Sequence, residues 1–320
     1  MITGVRSPSA FPELLTVFYR FYSKKSSSST QWLNRASKDP YTKAARFQDY
    51  KSRAAFKLKE LNKNHNLFKP GYTVVDLGFA PGAWSQVAVE LTKPHGRVLG
   101  VDIIPANPPK GASSIQANIL SKKTHTIIRN FFIETDYNKQ NDDDDLGKPK
   151  SYIATELQEP VELELEENDQ KSNNNTHKNL PVELSEKQQF PVDIVISDMY
   201  APVLPPERYW NNTTNSAFHR MANTSGLVIR DNVASINLCD AALILAIDLL
   251  KPNGAFVCKF FTGEEDKGLE KRLRKVFKKV IRDKPNACRD ESKECYFVCF
   301  QKKKTVDKID VFTNFHEVKL

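Results

Sequence analysis

Three ionisable residues sit where packing alone gives them no reason to be. Lys259 lies inside the apolar run Ala255-Phe256-Val257-Cys258-Lys259-Phe260-Phe261. Asp198 closes the run Asp193-Ile194-Val195-Ile196-Ser197-Asp198, and Glu294 stands at the head of a third, Cys295 to Gln301. A lysine inside a buried strand costs folding energy unless it is paired, and the two carboxylates are its available partners. One such residue by itself is a structural ion pair. Two carboxylates and a lysine gathered at one edge of a sheet instead describe a place where a proton is moved or a polar reactant is steered.

A ligand site at the same edge is written in a glycine turn. Thr73-Val74-Val75-Asp76-Leu77 reads as a strand, and it runs into Gly78-Phe79-Ala80-Pro81-Gly82-Ala83-Trp84 before a helix begins near Ser85. Such a turn lets a ligand approach the backbone at the carboxyl ends of the strands, where open α/β sheets bind their ligands. Asp102 closes the next strand about twenty residues on, the position that accepts hydrogen bonds from a ribose. The dinucleotide pattern G-x-G-x-x-G is absent, and Pro81 removes a backbone donor that a pyrophosphate would use. A ligand without phosphates fits better. S-adenosylmethionine is one, its amino acid end meeting Gly78 and Gly82 and its ribose meeting Asp102, and Gly82 then tolerates no side chain because the ligand passes close to it.

The elements that must hold these groups follow from periodicity. Trp32 to Leu67 reads as helical and basic. Strands are expected at Thr73–Leu77, Arg97–Asp102, Asp193–Asp198, Ala255–Phe261 and Cys295–Gln301, with helices from about Ala83 to Leu91 and from about Asp231 to Leu250. Apolar strands alternating with helices predict an α/β fold whose mostly parallel sheet is covered on both faces. The segment from Glu134 to Phe190 breaks the rhythm with Asp142 to Asp145 and Asn173 to Asn175. It reads as a surface insertion, largely disordered. Residues 1–30 carry Arg6, Arg20, Lys24 and Lys25 against the single acid Glu13, with Phe11, Leu14, Leu15, Phe18 and Tyr22 near helical spacing and a serine run at their end. This is the composition of a disordered mitochondrial targeting presequence, ahead of a single domain over residues 31–320.

Charge points to a polyanion. The chain carries +8 overall, but the 134–190 segment holds 15 acids against 6 bases, a net of −9, which leaves +17 on the rest. The five cysteines, Cys239, Cys258, Cys288, Cys295 and Cys299, lack the paired spacing of a zinc site, so no metal is expected. The longest apolar run, Ala241 to Leu250, is cut by Asp248 and falls short of the roughly 20 residues of a membrane span.

These pieces occur in a fixed order: Arg53-Ala54-Ala55-Phe56-Lys57-Leu58, Val75-Asp76-Leu77-Gly78 with Ala80-Pro81-Gly82-Ala83-Trp84-Ser85-Gln86, Ser197-Asp198-Met199, Val257-Cys258-Lys259, and Lys293-Glu294-Cys295-Tyr296. Together they resemble the FtsJ/RrmJ family of ribosomal RNA 2′-O-methyltransferases, over about Trp32 to Lys303. The resemblance implies a Rossmann-like class I methyltransferase fold, a seven-stranded sheet with a final antiparallel strand, and S-adenosylmethionine as cofactor. It implies a catalytic tetrad of Lys57, Asp198, Lys259 and Glu294. It also implies a cofactor pocket of Gly78, Pro81, Gly82, Ala83, Trp84, Asp102, Asn118 and Asp198. The family usually has aspartate where this chain has Asn118, which keeps a carbonyl to accept the adenine amino group. Lys259 is expected to act as the base or as the group that steers the ribose oxygen, and the residues alone leave both open. With the presequence-like start, the implied partner is rRNA, a uridine of the mitochondrial large ribosomal subunit, met in the matrix by a monomer. A non-catalytic assembly factor, and a transfer-RNA or messenger-RNA-cap enzyme of the same family, are the rival readings.

Overall fold

The structure is a computed structural model, and it describes residues 37–144, 189–201, 203 and 224–313. The presequence expected over 1–30 and most of the expected insertion lie outside them. Seven strands form one sheet: β1 (Thr73–Leu77), β2 (Arg97–Asp102), β3 (Ala112–Gln116), β4 (Val192–Ser197), β5 (Leu250–Phe261), β6 (Phe277–Asp283) and β7 (Glu294–Lys302). Their order is β3-β2-β1-β4-β5-β7-β6. The first five run parallel, and β7 is antiparallel to both β5 and β6.

All five residues of β1 are buried, as a central parallel strand covered on both faces requires. Because successive side chains alternate, Val75, Leu77, Phe256, Cys258 and Phe260 join one core, while Val74, Ile194, Ile196, Val257 and Val298 join the other. Three helices cover the second face: α1 (Pro40–Phe47), α2 (Ala54–His65) and α3 (Ala83–Thr92). Over the first lie α4 (Lys122–Asp144), α5 (Val228–Leu249), α6 (Asp266–Val276) and α7 (Lys308–Thr313). By length and composition α5 could cross a membrane, with mean hydropathy 1.5, but 61% of its most apolar window is buried inside the molecule. It is the core helix beside β5.

The sequence does not announce β3, β6 or α6. β3 is a short edge strand, Ala-Ser-Ser-Ile-Gln, with no fully buried position. β6 is the opposite edge and carries Lys278, Lys279 and Arg282, charges that blunt a free edge against pairing with another chain. α4 continues to Asp144, past the point at Glu134 where the insertion is expected to begin. Ile128 and Phe132 anchor that helix in the core, and once nucleated a helix propagates through polar residues at little cost.

Downstream the chain returns to the same helix, where the Arg129 Nε donates to the Gln189 carbonyl at 3.2 Å. Arg129 lies about one turn before Ile133, so the residues that flank 134–188 stand close together. Replacing 134–188 with a short Gly-Ser linker is therefore expected to preserve cooperative thermal unfolding and cofactor affinity, since closing a loop costs little and depends weakly on its length. A broad, non-cooperative transition in circular dichroism would place that segment in the core.

Candidate active site

The two-residue period of the strands sends Asp76, Asp198, Lys259 and Tyr296 to the same face of the sheet, the one covered by α1, α2 and α3. Register sets them side by side. Ser197 pairs with Cys258, so the next residues, Asp198 and Lys259, are neighbours, and Lys259 in turn faces Tyr296 across the antiparallel pair. Glu294, two residues before Tyr296, projects from the same face. From above, the first turn of α2 adds Lys57. A cation near the positive end of a helix dipole is unfavourable unless anions meet it, and here they do.

The four residues of the expected tetrad converge. Lys259 Nζ donates to the Asp198 carbonyl at 2.6 Å and lies 3.1 Å from its Oδ1. Lys57 Nζ pairs with Glu294 Oε1. The Tyr296 hydroxyl bridges the two halves, its one proton shared between two acceptors, Asp198 Oδ1 at 3.0 Å and Glu294 Oε1. Burial alone would lower the Lys57 ammonium, but the carboxylates of Asp198 and Glu294 outweigh it and hold the pKa above the ordinary lysine value. Burial likewise opposes the Glu294 charge, yet Lys57 and Lys259 hold this carboxyl down at about 2. Tyr296, wholly buried beside two acids, is pushed well above the usual phenol range and stays protonated.

Glu294→Gln removes the anion that faces Lys57 and weakens the acceptor of Tyr296. The expected loss is about 2–3 kcal/mol in urea unfolding at neutral pH, below the full cost of an orphaned buried charge because Asp198 still faces Lys57. The sign with pH follows from the depressed pKa: the contribution is present above about 4.5 and lost as the pH falls toward about 2. A variant as stable as the parent at pH 7 would mean the pair contributes nothing net.

These groups wall a cavity of about 710 Å³, a usual size for a cofactor or small-molecule site. Gly78, Pro81, Ala83, Trp84 and Asp198 line it with Asp76, Tyr200, Lys57, Lys259 and Glu294. Gly78 has φ +71°, and a Cβ there would meet Met199 Cγ at 2.4 Å. Gly82 has φ +109°, but its added Cβ would strike Pro109 Cδ at 2.9 Å. A side chain at Gly82 is thus disfavoured by its backbone conformation and by Pro109, before any ligand is considered. Trp84 uses its indole N–H to hold the Ala54 carbonyl at 2.9 Å, tying α3 to the helix that carries Lys57.

Asp102 and Asn118 are not in the cavity wall. Asp102 accepts from the backbone N–H groups of Ala80 and Ile104, both at 3.0 Å, and so fixes the glycine turn from behind. Each of its oxygens keeps a lone pair for a ribose hydroxyl. Asn118 is exposed just after β3, with its Oδ1 accepting from the Leu120 N–H at 3.0 Å, which leaves the second lone pair of that oxygen for another donor.

Two residues escaped the sequence reading, and for Asp76 the signal was present. Asp76 sits in an all-buried strand, the same anomaly that singled out Lys259. Its Oδ2 accepts from Ser85 Oγ at 2.6 Å, while Oδ1 has no hydrogen-bond partner among the described residues. Burial raises this carboxyl to about 8, the Ser85 hydrogen bond opposing and the charges of Asp198 and Asp102 adding to the rise. A buried orphan oxygen on the wall of a cavity is what a bound amino group would satisfy, so the residues present fit a ligand with an amino acid end. Tyr296 was the other omission, readable only once the strand register places it between two carboxylates.

The sequence profile of FtsJ-like methyltransferases matches residues 50–302. The chain is 50% identical over 301 residues, 90% of its length and 92% of the relative's, to "rRNA methyltransferase 2, mitochondrial" of Saccharomyces cerevisiae. It is 33% identical to the protein of the same name from Schizosaccharomyces pombe, over 85% of this chain and 95% of that one. It is 30% identical to "Ribosomal RNA large subunit methyltransferase E" of Thiobacillus denitrificans, over 86% of this chain and 90% of the relative. With the profile spanning most of the chain and the cluster of ionisable groups closing one wall of the cavity, the protein belongs to the FtsJ-like methyltransferase family.

Proposed function

We propose that this methyltransferase uses S-adenosylmethionine to methylate a ribose 2′-hydroxyl of rRNA, a uridine of the mitochondrial large ribosomal subunit, in the matrix and as a monomer. The observation that carries the chemistry is the contact of Lys259 with both the carbonyl and the carboxylate of Asp198 at the cavity wall. The substrate class and the compartment rest on the names of the relatives and on the basic, presequence-like start.

When bound, S-adenosylmethionine supplies an electrophilic methyl on a sulfonium whose charge disappears as the methyl leaves. The protein's task is to align one hydroxyl and accommodate its proton. An ammonium has three N–H groups, and Lys259 gives two contacts to Asp198, which leaves one for the ribose oxygen. Lys259 thus steers the hydroxyl, and the carboxylate of Asp198 beside it receives the proton as the new C–O bond forms. Glu294 and Lys57 balance the charge of that pair, and Tyr296 fixes Asp198 in place. Asp76, whose Oδ1 has no hydrogen-bond partner among the described residues, would hold the amino end of the cofactor, and Gly78, which lines the same cavity, would border it.

The test is transfer of a radiolabelled methyl group from S-adenosylmethionine to mitochondrial RNA, followed by mapping of 2′-O-methyl nucleotides. Label on a large-subunit uridine is the expected result. Label only on transfer RNA or a cap would move the substrate elsewhere in the family, and no label on any RNA would leave an assembly factor.

A further inference from the structure

Phe47 is 92% exposed, more than any other large apolar side chain among the described residues. It ends α1, whose Thr42, Ala45 and Arg46 face the cavity. At 3.6 residues per turn, Lys43 and Phe47 form the next strip of that helix, so Phe47 stands on the cavity's outer rim. The chain beyond it is fixed. Gln86 of α3 donates from Nε2 to the Asp49 carbonyl at 2.9 Å and accepts from the Lys51 N–H at 2.8 Å, and Tyr50 hydrogen-bonds Glu90. The rim is therefore built onto the helix that follows the cofactor turn. Arg46 and Lys51 are exposed beside Phe47 and line the cavity, and neither has an ion-pair partner among the described residues.

We propose that Phe47, Arg46 and Lys51 form a docking platform for RNA, with Phe47 stacking the base of a nucleotide that flanks the target and the two cations holding its phosphates. The inference rests on the RNA-methylation reading of the cavity and adds where the strand runs as it leaves. The reacting ribose must reach Lys259 on the cavity wall, so a side chain on the outer rim meets a neighbouring nucleotide. Single-stranded RNA is bound by this pairing of an aromatic face with cations. A protein partner would call for a contiguous apolar patch, whereas Phe47 is set among Lys43, Arg46, Gln48 and Lys51.

The experiment measures binding of a fluorescein-labelled single-stranded RNA 15-mer of mixed sequence to the full chain by anisotropy, with methyl transfer to mitochondrial RNA run in parallel. Phe47→Ala is expected to weaken RNA binding about tenfold and raise the KM for RNA similarly, with kcat, Tm and cofactor affinity unchanged. Phe47→Trp should restore binding and Phe47→Leu should not, because stacking needs a flat ring. Arg46→Gln and Lys51→Gln should each lower the slope of log affinity against log salt by about one, while Phe47→Ala leaves that slope as it is. Equal affinity of Phe47→Ala and the parent would overturn the platform. So would rescue by Leu as good as by Trp, or a drop in Tm with Ala, either of which assigns the ring to packing against protein. A parent that binds RNA tenfold better than Phe47→Ala yet methylates none would support the platform and defeat the methylation reading alone.

Discussion

Lys259→Met is expected to lower single-turnover methyl transfer by at least about 100-fold at saturating cofactor and RNA, while RNA affinity and cofactor affinity stay within about threefold. The side chain is buried and its stem packs among strand neighbours, so methionine keeps the length and most of the contacts. The group lost is the Nζ that touches the Asp198 carbonyl and carboxylate. Asp198 is not thereby orphaned. It retains the Tyr296 hydroxyl at 3.0 Å and the charge of Lys57, so the stability loss should be about 1–2 kcal/mol rather than that of an isolated buried anion. RNA affinity is held because phosphate contacts come from the wider basic surface. Lys259→Arg should rescue poorly, since a planar guanidinium cannot place its donors where a compact ammonium does. Transfer by Lys259→Met at near the parental rate would remove Lys259 from the chemistry and leave it a structural ion pair. A matching loss of cofactor affinity would assign it to binding.

The parts of this molecule legible in the sequence are those whose burial leaves no choice of residue. β1, β4 and β5 announce themselves because both faces are covered, and that same burial makes Asp198 and Lys259 stand out as charges out of place. The edges are not legible. β3 is built from Ala112, Ser113, Ser114, Ile115 and Gln116 and is stabilised by pairing with β2 rather than by side-chain burial, so its composition matches that of a loop. β6 is masked by its lysines, which protect the edge and dilute the alternation. Within the site, the apolar runs singled out Asp198, Lys259 and Glu294, the family resemblance added Lys57, and neither gave the pairing among the four. Lys57 and Glu294 meet across 237 residues of chain, and only the packing of α2 over β7 decides that Lys57 faces Glu294 while Lys259 faces Asp198. Position singled out Asp102 and Asn118 as acceptors but not their local hydrogen bonds, Asp102 accepting from the backbone of Ala80 and Ile104 and Asn118 from that of Leu120.

Affinity for S-adenosylmethionine is expected to rise roughly tenfold per pH unit between about pH 6 and 8, and to lose that dependence in Asp76→Asn. In the cofactor-free protein Asp76 is almost fully buried, with Ser85 on one oxygen and none of the described residues hydrogen-bonded to the other. Burial raises the carboxyl to about 8, and Asp198 and Asp102 add to the rise, so it is protonated at pH 7. An ammonium group brought against the free oxygen reverses the balance, because the carboxylate then gains a charged partner in a site of low dielectric. Binding must therefore release close to one proton at pH 7, and the affinity climbs with pH until the empty pocket is itself ionised near 8. Above that the cofactor's amine loses its own charge, with an α-amino pKa of about 7.7–8.0, and the gain ends. Stability of the empty protein moves the opposite way. A carboxyl whose folded pKa exceeds its unfolded value of 3.8 contributes stability that is complete at low pH and is lost as the pH rises through about 8, a slope that Asp76→Asn should flatten. Calorimetry at pH 7 in buffers of different ionisation enthalpy reads the released proton directly. Heats that do not depend on the buffer, or an unchanged pH slope in Asp76→Asn, would mean that Asp76 does not meet the amino end, and its unpartnered oxygen would then need another occupant.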